Sequence, residues 1–338
     1  MRIGYAASAN ASASTVVASA QAAEAAGFHE IWLPEDYCER GVFAIAGAVA
    51  ALTSTIRVGI GVVNPWTRHP VLTAMETAGL DELAEGRLIL GIGASNERWM
   101  SDWLGIPFQE PITRTRETVE VIRDLLAGRP VHRAASGYAI NTGLSFQPLR
   151  PAVPIYLGAK GQRALAVAGK HADGVLLSVL SSPSYIRWAR HQIQAPGMPV
   201  GAYVLFACGE DAEAVRERVK PTVAKYLGIH GDHDITRVAG LDPELSKEFR
   251  TRMLSGEPAV ELVTDEMLDE FAIAGDAERC LDGLARFHAG GADTLVLIGD
   301  PASTPAETVH AGRLAHRAGL VSSADPRPAD HPKSQGAY

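Results

Sequence analysis

Acidic side chains stand directly after two of the short apolar runs in this sequence. Glu35 and Asp36 follow the run that ends in Pro34, and Glu97 follows a run that contains glycines. A carboxyl group that is partly buried beside an apolar ring can have its pKa raised toward neutrality, which suits it to proton transfer. We expect Asp36 to be the acid–base group, with Glu97 as the second candidate.

A glycine-rich loop, Gly158–Gly161, opens a predicted helix and contains Lys160. Free backbone N–H groups and the positive end of the helix dipole make such a position suitable for a phosphate, and the lysine adds a positive charge. The alternative is an ordinary tight turn between a strand and a helix. Together with the acids, this loop would suit a flat, phosphorylated cofactor beside an acid–base group.

His230, His233 and Asp234 form the one cluster whose residue types resemble metal ligands. Their spacing matches no standard site and they fall in a polar segment, so we expect a solvated loop rather than a metal centre. Serines follow several apolar runs, but none lies in the Gly-x-Ser-x-Gly pattern of a nucleophile elbow. The sequence therefore predicts neither a metal site nor a hydrolase triad.

Apolar runs alternate with helical patterns along the chain, which predicts an α/β fold with a parallel sheet. No Gly-x-Gly-x-x-Gly follows the first run, where a dinucleotide-binding sheet would have it. We therefore predict a (β/α)8 TIM barrel with insertions, whose active site lies at the C-terminal ends of the strands. The predicted strands are 2–6, 29–33, 57–63, 88–92, 154–157, 174–178, 198–207 and 294–298, and 131–146 is a predicted hairpin.

The third predicted strand, 57–63, contains Gly59 and Gly61, and the fourth repeats this pattern with Gly91 and Gly93. Glycine inside a strand marks a bulge or a close approach of the backbone to a ligand. The plain alternative is a kink that gives a barrel its curvature. The sequence alone leaves both interpretations open.

Composition excludes several classes of function. A net charge of −8 argues against a general nucleic-acid or anionic-membrane surface, and no apolar run approaches the ~20 residues of a membrane span. The three cysteines form no C-x-x-C pair, which favours reduced thiols in a cytosol. We expect a cytoplasmic protein that acts on a small molecule, with one domain over 1–320, a mostly helical insertion at 229–271 and a disordered tail at 321–338.

Three stretches resemble the bacterial luciferase-like superfamily, in particular its branch of methylenetetrahydromethanopterin reductase and related oxidoreductases that use the deazaflavin coenzyme F420. They are residues 61–70, 85–93 and 154–161. The resemblance implies a TIM-like barrel, usually dimeric, with the ring of coenzyme F420 at the mouth and a cis peptide between Gly61 and Val62. The expected cofactor contacts are Glu35, Gly61, Val62, Asn64, Gly93, Ala94, Ser95, Gly158, Ala159, Lys160, Gly161 and Ser178.

The positions that would handle a proton differ from the family pattern. The acid that often lies on the first strand is Ala6 here, and the Asp-His pair after the second strand is Glu35-Asp36. The acid after the fourth-strand glycines aligns with Asn96, and Glu97 follows one place on. Asn96 therefore joins Asp36 and Glu97 as a candidate catalytic residue, and the substrate is not identified by the resemblance.

These features predict an oxidoreductase that transfers a hydride between C5 of coenzyme F420 and a small organic substrate. An FMN-dependent luciferase-like monooxygenase is the first alternative, because the superfamily contains both. A barrel that binds a flavin or deazaflavin without turning it over is the second. The 229–271 insertion and the loop with Trp99 and Trp103 would shape the substrate pocket.

Overall fold

Runs of Ile, Val and Leu form parallel strands that are buried on both faces, as such runs require. The computed structural model of the chain describes residues 1–36, 38–299 and 305–317. Its strands are β1 (Arg2–Ala6), β2 (Glu30–Leu33), β3 (Arg57–Val63), β4 (Leu88–Gly93), β5 (Val131–Ala135), β6 (Tyr138–Thr142), β7 (Ile155–Gly158), β8 (Gly174–Leu177), β9 (Val200–Cys208), β10 (Ala272–Gly275) and β11 (Thr294–Gly299).

Helices follow most of the strands and cover the outside of the sheet. They are α1 (Ala13–Ala25), α2 (Val42–Leu52), α3 (Pro70–Leu83), α4 (Pro111–Leu126), α5 (Gln162–His171), α6 (Pro183–Ile193), α7 (Ala212–His230), α8 (Asp234–Val238), α9 (Pro243–Leu254), α10 (Asp265–Phe271), α11 (Ala277–Ala289) and α12 (Pro305–Arg317). A π-helix, Arg98–Trp103, lies in the loop after β4.

Eight parallel strands close into a barrel, which confirms the predicted TIM-barrel fold. Their order is β1-β2-β3-β4-β7-β8-β9-β11, and β11 pairs with β1 over five residues, from Arg2 with Thr294 to Ala6 with Ile298. The hairpin β5-β6 lies outside this barrel as a separate antiparallel pair within the predicted 131–146 hairpin. In such a barrel the loops after the C-terminal ends of the strands meet at one mouth.

Strand β10 is not among the predicted strands. It pairs in parallel with the second half of β9, from Leu205 to Cys208, whereas β8 pairs only with Val200 to Ala202. It begins directly after α10, with no glycine or proline between them to signal a change of structure. β10 therefore adds a short strand to the sheet, next to the C-terminal half of β9 at the mouth of the barrel.

The interior of the barrel is filled by large side chains near its N-terminal end. Glu30, which is 1% exposed, accepts a hydrogen bond of 2.8 Å from the Trp32 indole and pairs with Arg57. This ion pair lies at the N-terminal ends of β2 and β3, at the opposite end of the barrel from the mouth. The other side chains that pack inside the barrel are Ile89, Tyr156, Leu176 and Val296.

The segment between α7 and β10 folds as helices against α6 and α7. A Cβ atom at Gly228 of α7 would lie 2.4 Å from Cβ of Met253, so glycine permits the close packing of α7 on α9. None of the helices in the described part of the chain is long and apolar enough to cross a membrane. The predicted tail 321–338 lies outside the described residues.

Candidate active site

A bulge in β3 forms the back of the barrel mouth. The register between β3 and β4 shifts between Ile60 and Val63, and the Gly61–Val62 peptide bond is cis, as the family resemblance implies. A Cβ atom at Gly93 would lie 2.6 Å from Cγ2 of Val62, and one at Gly158 would lie 3.1 Å from its Cγ1. These two glycines therefore make room for the Val62 side chain, and their contact with a cofactor stays a prediction.

Tyr203, on β9, holds the same bulge from across the barrel. Its hydroxyl donates a hydrogen bond of 3.0 Å to the Gly61 carbonyl. A Cβ atom at Gly61 would lie 2.3 Å from that hydroxyl, so only glycine leaves room for the Tyr203 side chain at this position. Tyr203 is not among the residues predicted from the sequence, although a lone tyrosine in an apolar strand signals a hydroxyl that needs a partner inside the barrel.

Asp36 lies at the mouth with ionisable groups from β9 and α7 around it. Its side chain has access to solvent, but protein atoms surround the carboxyl group closely enough that desolvation raises its pKa, with Glu39 adding to the effect and Lys225 opposing it. Burial also raises the pKa of Tyr203 and of Tyr226, and the charge of Asp36 adds to both shifts. Asp36 is thus placed to hold a proton at higher pH than an ordinary aspartate.

Glu35, next to Asp36, is held by an arginine from the following loop. Arg68 donates to both carboxylate oxygens of Glu35, at 3.2 Å from Nε and 2.6 Å from one terminal nitrogen, and it also binds Glu76 on α3. The ion pair ties the loop after β2 to the loop after β3. A role of Glu35 in cofactor binding stays a prediction.

Asn64 organises the loop after β3. Its side-chain oxygen accepts hydrogen bonds from the backbone N–H groups of Trp66, at 2.8 Å, and Thr67, at 3.0 Å. The Trp66 indole then donates to the Ala94 carbonyl at 2.9 Å, which joins this loop to the loop after β4. Asn64 and Ala94 therefore fix the shape of the mouth, and their contact with a cofactor stays a prediction.

Ser95 presents a polar atom that has no partner in the described part of the chain. Its backbone is left-handed, with φ of 61°, and its hydroxyl oxygen is buried. Buried hydroxyl groups normally have a hydrogen-bond partner, so this oxygen is suited to bind a ligand. Asn96 and Glu97 follow it and are both exposed, and the Asn96 side chain accepts a bond of 3.0 Å from the Trp99 backbone.

The Gly158–Gly161 loop leads into α5 as predicted. No side chain caps the first turn of α5, which leaves its N–H groups available to a ligand. Ala159 donates its N–H to Leu176 at 3.3 Å, and the Tyr185 hydroxyl donates to the Lys160 carbonyl at 2.6 Å, so the loop is fixed from two sides. Burial lowers the pKa of Lys160, and its ammonium group forms no ion pair with the described residues.

Two histidines that the sequence analysis assigned to a solvated loop lie beside Lys160. The prediction is wrong for His230, which is 8% exposed, because it ends α7 and packs against the loop after β8. His233 caps α8, and its Nε2 atom is 3.8 Å from where a Cβ atom of Gly161 would stand. In the described residues no group of three His, Cys, Asp or Glu side chains could hold a metal ion.

The mouth therefore has an acidic side and a basic side. Asp36 follows β2 and lies near Tyr203 of β9, whereas Lys160 and Ser178 follow the adjacent strands β7 and β8. Helix α7 reaches both sides, because it carries Tyr226 near Asp36 and, one turn later, His230 near Lys160. Such an arrangement can bind an elongated ligand with an anionic end and place its other end beside a proton donor.

Comparison with known proteins identifies enzymes that are similar to this chain. The 5,10-methylenetetrahydromethanopterin reductase of Methanolobus tindarius is 32% identical over 274 residues, which are 77% of this chain and 82% of that protein. An F420-dependent glucose-6-phosphate dehydrogenase of Nakamurella multipartita is 32% identical over 197 residues, covering 54% of this chain and 58% of the relative.

A solved structure shares the whole architecture. The coenzyme F420-dependent tetrahydromethanopterin reductase of Methanopyrus kandleri is 27% identical, with a TM-score of 0.81 over 93% of this chain and 96% of that one. The sequence profile of the luciferase-like monooxygenases matches residues 1–294. The chain therefore belongs to the luciferase-like monooxygenase family.

Proposed function

We propose that this protein is a coenzyme F420-dependent oxidoreductase that transfers a hydride between C5 of the deazaflavin and a small organic substrate. The observation that carries the proposal is the mouth itself, where Asp36 has a raised pKa, the start of α5 is uncapped and Lys160 forms no ion pair with the described residues. The relatives support the choice of cofactor, since two enzymes with different named substrates are both named as F420-dependent.

The residues at the mouth fit a phosphorylated deazaflavin. The N–H groups of the Gly158–Gly161 loop and the ammonium group of Lys160 would bind the phosphate, because a helix N-terminus favours an anion. The unpartnered hydroxyl of Ser95 would donate to the polyhydroxylated chain or the ring. When bound, the deazaflavin supplies the hydride chemistry, and the protein supplies position, exclusion of water and a proton.

Asp36 is proposed as the group that exchanges a proton with the substrate. Its raised pKa keeps part of the carboxyl population protonated at a pH where an ordinary aspartate is fully ionised. The pKa values of Tyr203 and Tyr226 are raised as well, so both hydroxyl groups stay neutral beside it.

An anaerobic turnover assay tests the reaction class. The purified protein is mixed with oxidised coenzyme F420 and a panel of small alcohols, sugar phosphates and reduced pterins, and the absorbance of oxidised F420 is followed. We expect substrate-dependent loss of this absorbance with at least one substrate class. Oxygen consumption with reduced FMN, and none of these F420 reactions, would instead identify a monooxygenase; turnover of neither cofactor would identify a binding protein.

We also propose a cytoplasmic homodimer. The outer face of α3 exposes Leu72, Met75 and Leu83, each about half exposed. Exposed apolar patches on a folded protein mark contacts with another molecule, and a second copy of the chain would cover this one. Each of the three cysteines is a free thiol, which favours a reducing compartment.

A further inference from the structure

His230 has one ring nitrogen in use and one without a partner. Nε2 lies 2.8 Å from the Val179 carbonyl oxygen, and because a carbonyl only accepts, the hydrogen of the neutral ring must be on Nε2. Nδ1 therefore carries a lone pair, and it is buried without a hydrogen-bond partner among the described residues. A buried acceptor without a donor is costly and marks a place where a ligand or a proton is missing.

His233 has the opposite arrangement. Its Nδ1 atom accepts a hydrogen bond of 3.4 Å from the Ile235 backbone at the start of α8, so the hydrogen of the neutral ring is on Nε2. That Nε2 atom is directed at the phosphate loop, 3.8 Å from the position of a Cβ atom on Gly161. His233 is therefore a ready-made donor at this loop.

Charged groups from every neighbouring element act on these two rings. Lys160, from the loop after β7, lowers the pKa of both, and Arg237 of α8 lowers that of His233, whereas Asp232 and Asp234 raise it. Arg250 of α9 acts on Lys160. Burial is the largest cause, and it brings the pKa of His230 to about 3 and that of His233 to about 4, so both are neutral near pH 7 in the protein without an anion.

We propose that His230 and His233 complete the anion pocket of the Gly158–Gly161 loop, and that binding of an anionic phosphate there is accompanied by uptake of one proton from solvent at Nδ1 of His230. The proposal rests on the function proposed above, with the phosphate belonging to coenzyme F420. His233 donates from Nε2 in its neutral form, whereas the lone pair on His230 would repel the anion until a proton converts it into a donor.

The consequence is that cofactor affinity increases as the pH falls. The anion stabilises the protonated ring, so the complex binds more protons than the free protein, and the Kd decreases by up to about tenfold for each pH unit below the pKa of His230 in the complex. The phosphate of coenzyme F420 is a diester and stays singly charged over this range. Ionisation of the deazaflavin ring affects all variants alike and cancels when they are compared.

Fluorescence titration with coenzyme F420 at pH 5.5 and pH 7.5 tests this inference. For each protein we compare the Kd at pH 7.5 with the Kd at pH 5.5. We expect this ratio to be about tenfold larger for the wild-type protein than for His230→Gln. The glutamine amide can still donate to Val179 but cannot titrate. His233→Asn should weaken binding by about tenfold at both pH values, because asparagine can still cap α8 but has no donor at the position of Nε2, and the titrating group is retained.

The exposed His191, at the end of α6, provides the matched control, and His191→Gln should keep the wild-type dependence on pH. If His230→Gln fails to fold, NMR of histidine-labelled wild-type protein at pH 6.5 gives the same answer: one imidazole should change from neutral to cationic when coenzyme F420 is added. The same pH ratio in His230→Gln as in wild type, or no imidazole that gains a proton, would overturn the inference. Failure to bind coenzyme F420 at any pH would instead overturn the proposed function.

Discussion

Two neighbouring acids at the mouth show how far the chemistry of a residue depends on its surroundings. Glu35 and Asp36 are adjacent in sequence, yet Glu35 is neutralised by Arg68, 33 positions away, whereas Asp36 has its pKa raised by desolvation and by Glu39. Both follow the same strand, so position alone predicts that both lie at the mouth. Arg68 pairs with Glu35 and leaves Asp36 as the acid that can transfer a proton. The local sequence around the two acids does not reveal this pairing.

Replacement of Asp36 tests its assignment. We expect Asp36→Asn to reduce kcat by about 100-fold or more, since general acid–base groups contribute about 10² to 10⁴. The affinity for coenzyme F420 should be unchanged, because the proposed phosphate site is the Gly158–Gly161 loop and does not include Asp36. In the oxidation of the substrates in the panel Asp36 must accept a proton, so kcat should fall as the pH falls through the raised pKa of the carboxyl group, in the wild type and not in Asp36→Asn.

Glu97→Gln is the matched control, because Glu97 is a second exposed acid that follows a barrel strand, in the loop after β4. It should keep kcat within about threefold of the wild type. A large loss in Glu97→Gln with an unaffected Asp36→Asn would reverse the assignment of the two acids. Steady-state kinetics with the best substrate from the panel, at saturating cofactor, provide both values.

Other residues of the site were predicted in place but for a different physical reason. The glycines of β3 and β4 indicated a bulge, a close approach to a ligand or a kink that curves the barrel, and the structure shows a bulge in β3 with glycines that accommodate Trp32, Tyr203 and Val62 of the protein itself. A glycine in a strand signals that space is needed, but it does not say what fills that space. The Gly158–Gly161 loop was predictable, because the strand, the glycines, the lysine and the helix start are all contiguous in sequence.

At the scale of elements, helix α7 is the part of the site that sequence reasoning missed. Tyr226 and His230 are four residues apart, so they share one face of the helix, and the structure turns that face to the mouth. Sequence periodicity shows which residues share a face, but the direction of the face is set by packing on α9 at Gly228. The contribution of α7 could therefore be found only from the structure.

The outer face of α3 carries the prediction that belongs to this scale. Leu72, Met75 and Leu83 lie on one side of the helix, and burying them against a second copy would be favourable by roughly 25 cal/mol per Å². We expect light scattering to give twice the 35.8 kDa mass of the chain for the wild type. Met75→Glu should give the mass of a monomer, because it would bury an unpaired charge in the interface.

Leu254→Glu serves as the control for this experiment. Leu254, on α9, is 55% exposed and Met75 is 46% exposed, so both substitutions add a charge at an exposed apolar position. The control should keep the mass and the elution volume of the wild type. A dimeric Met75→Glu, or a wild type that is monomeric at micromolar concentration, would contradict the proposed interface.

At the scale of the whole molecule, the barrel was predictable because each strand is a continuous apolar run that a parallel sheet requires. Strand β10 was not, since its four residues follow α10 without a break in the apolar pattern. The pairing of β1 with β11 brings the two ends of the described barrel together, and we propose that residues 1–320 act as one domain. Closure of the barrel is also what places Asp36, Ser95 and Lys160, which are far apart in sequence, around one mouth.

The most direct test of the proposed function is an equilibrium titration of the purified, cofactor-free protein with coenzyme F420 and, separately, with FMN, followed by fluorescence quenching. We predict a Kd for coenzyme F420 that is micromolar or lower, about −8 kcal/mol or better, and a Kd for FMN at least about tenfold higher. Preference for FMN would contradict the deazaflavin assignment and favour a monooxygenase. Binding of neither would mean that the family barrel is retained without its cofactor site.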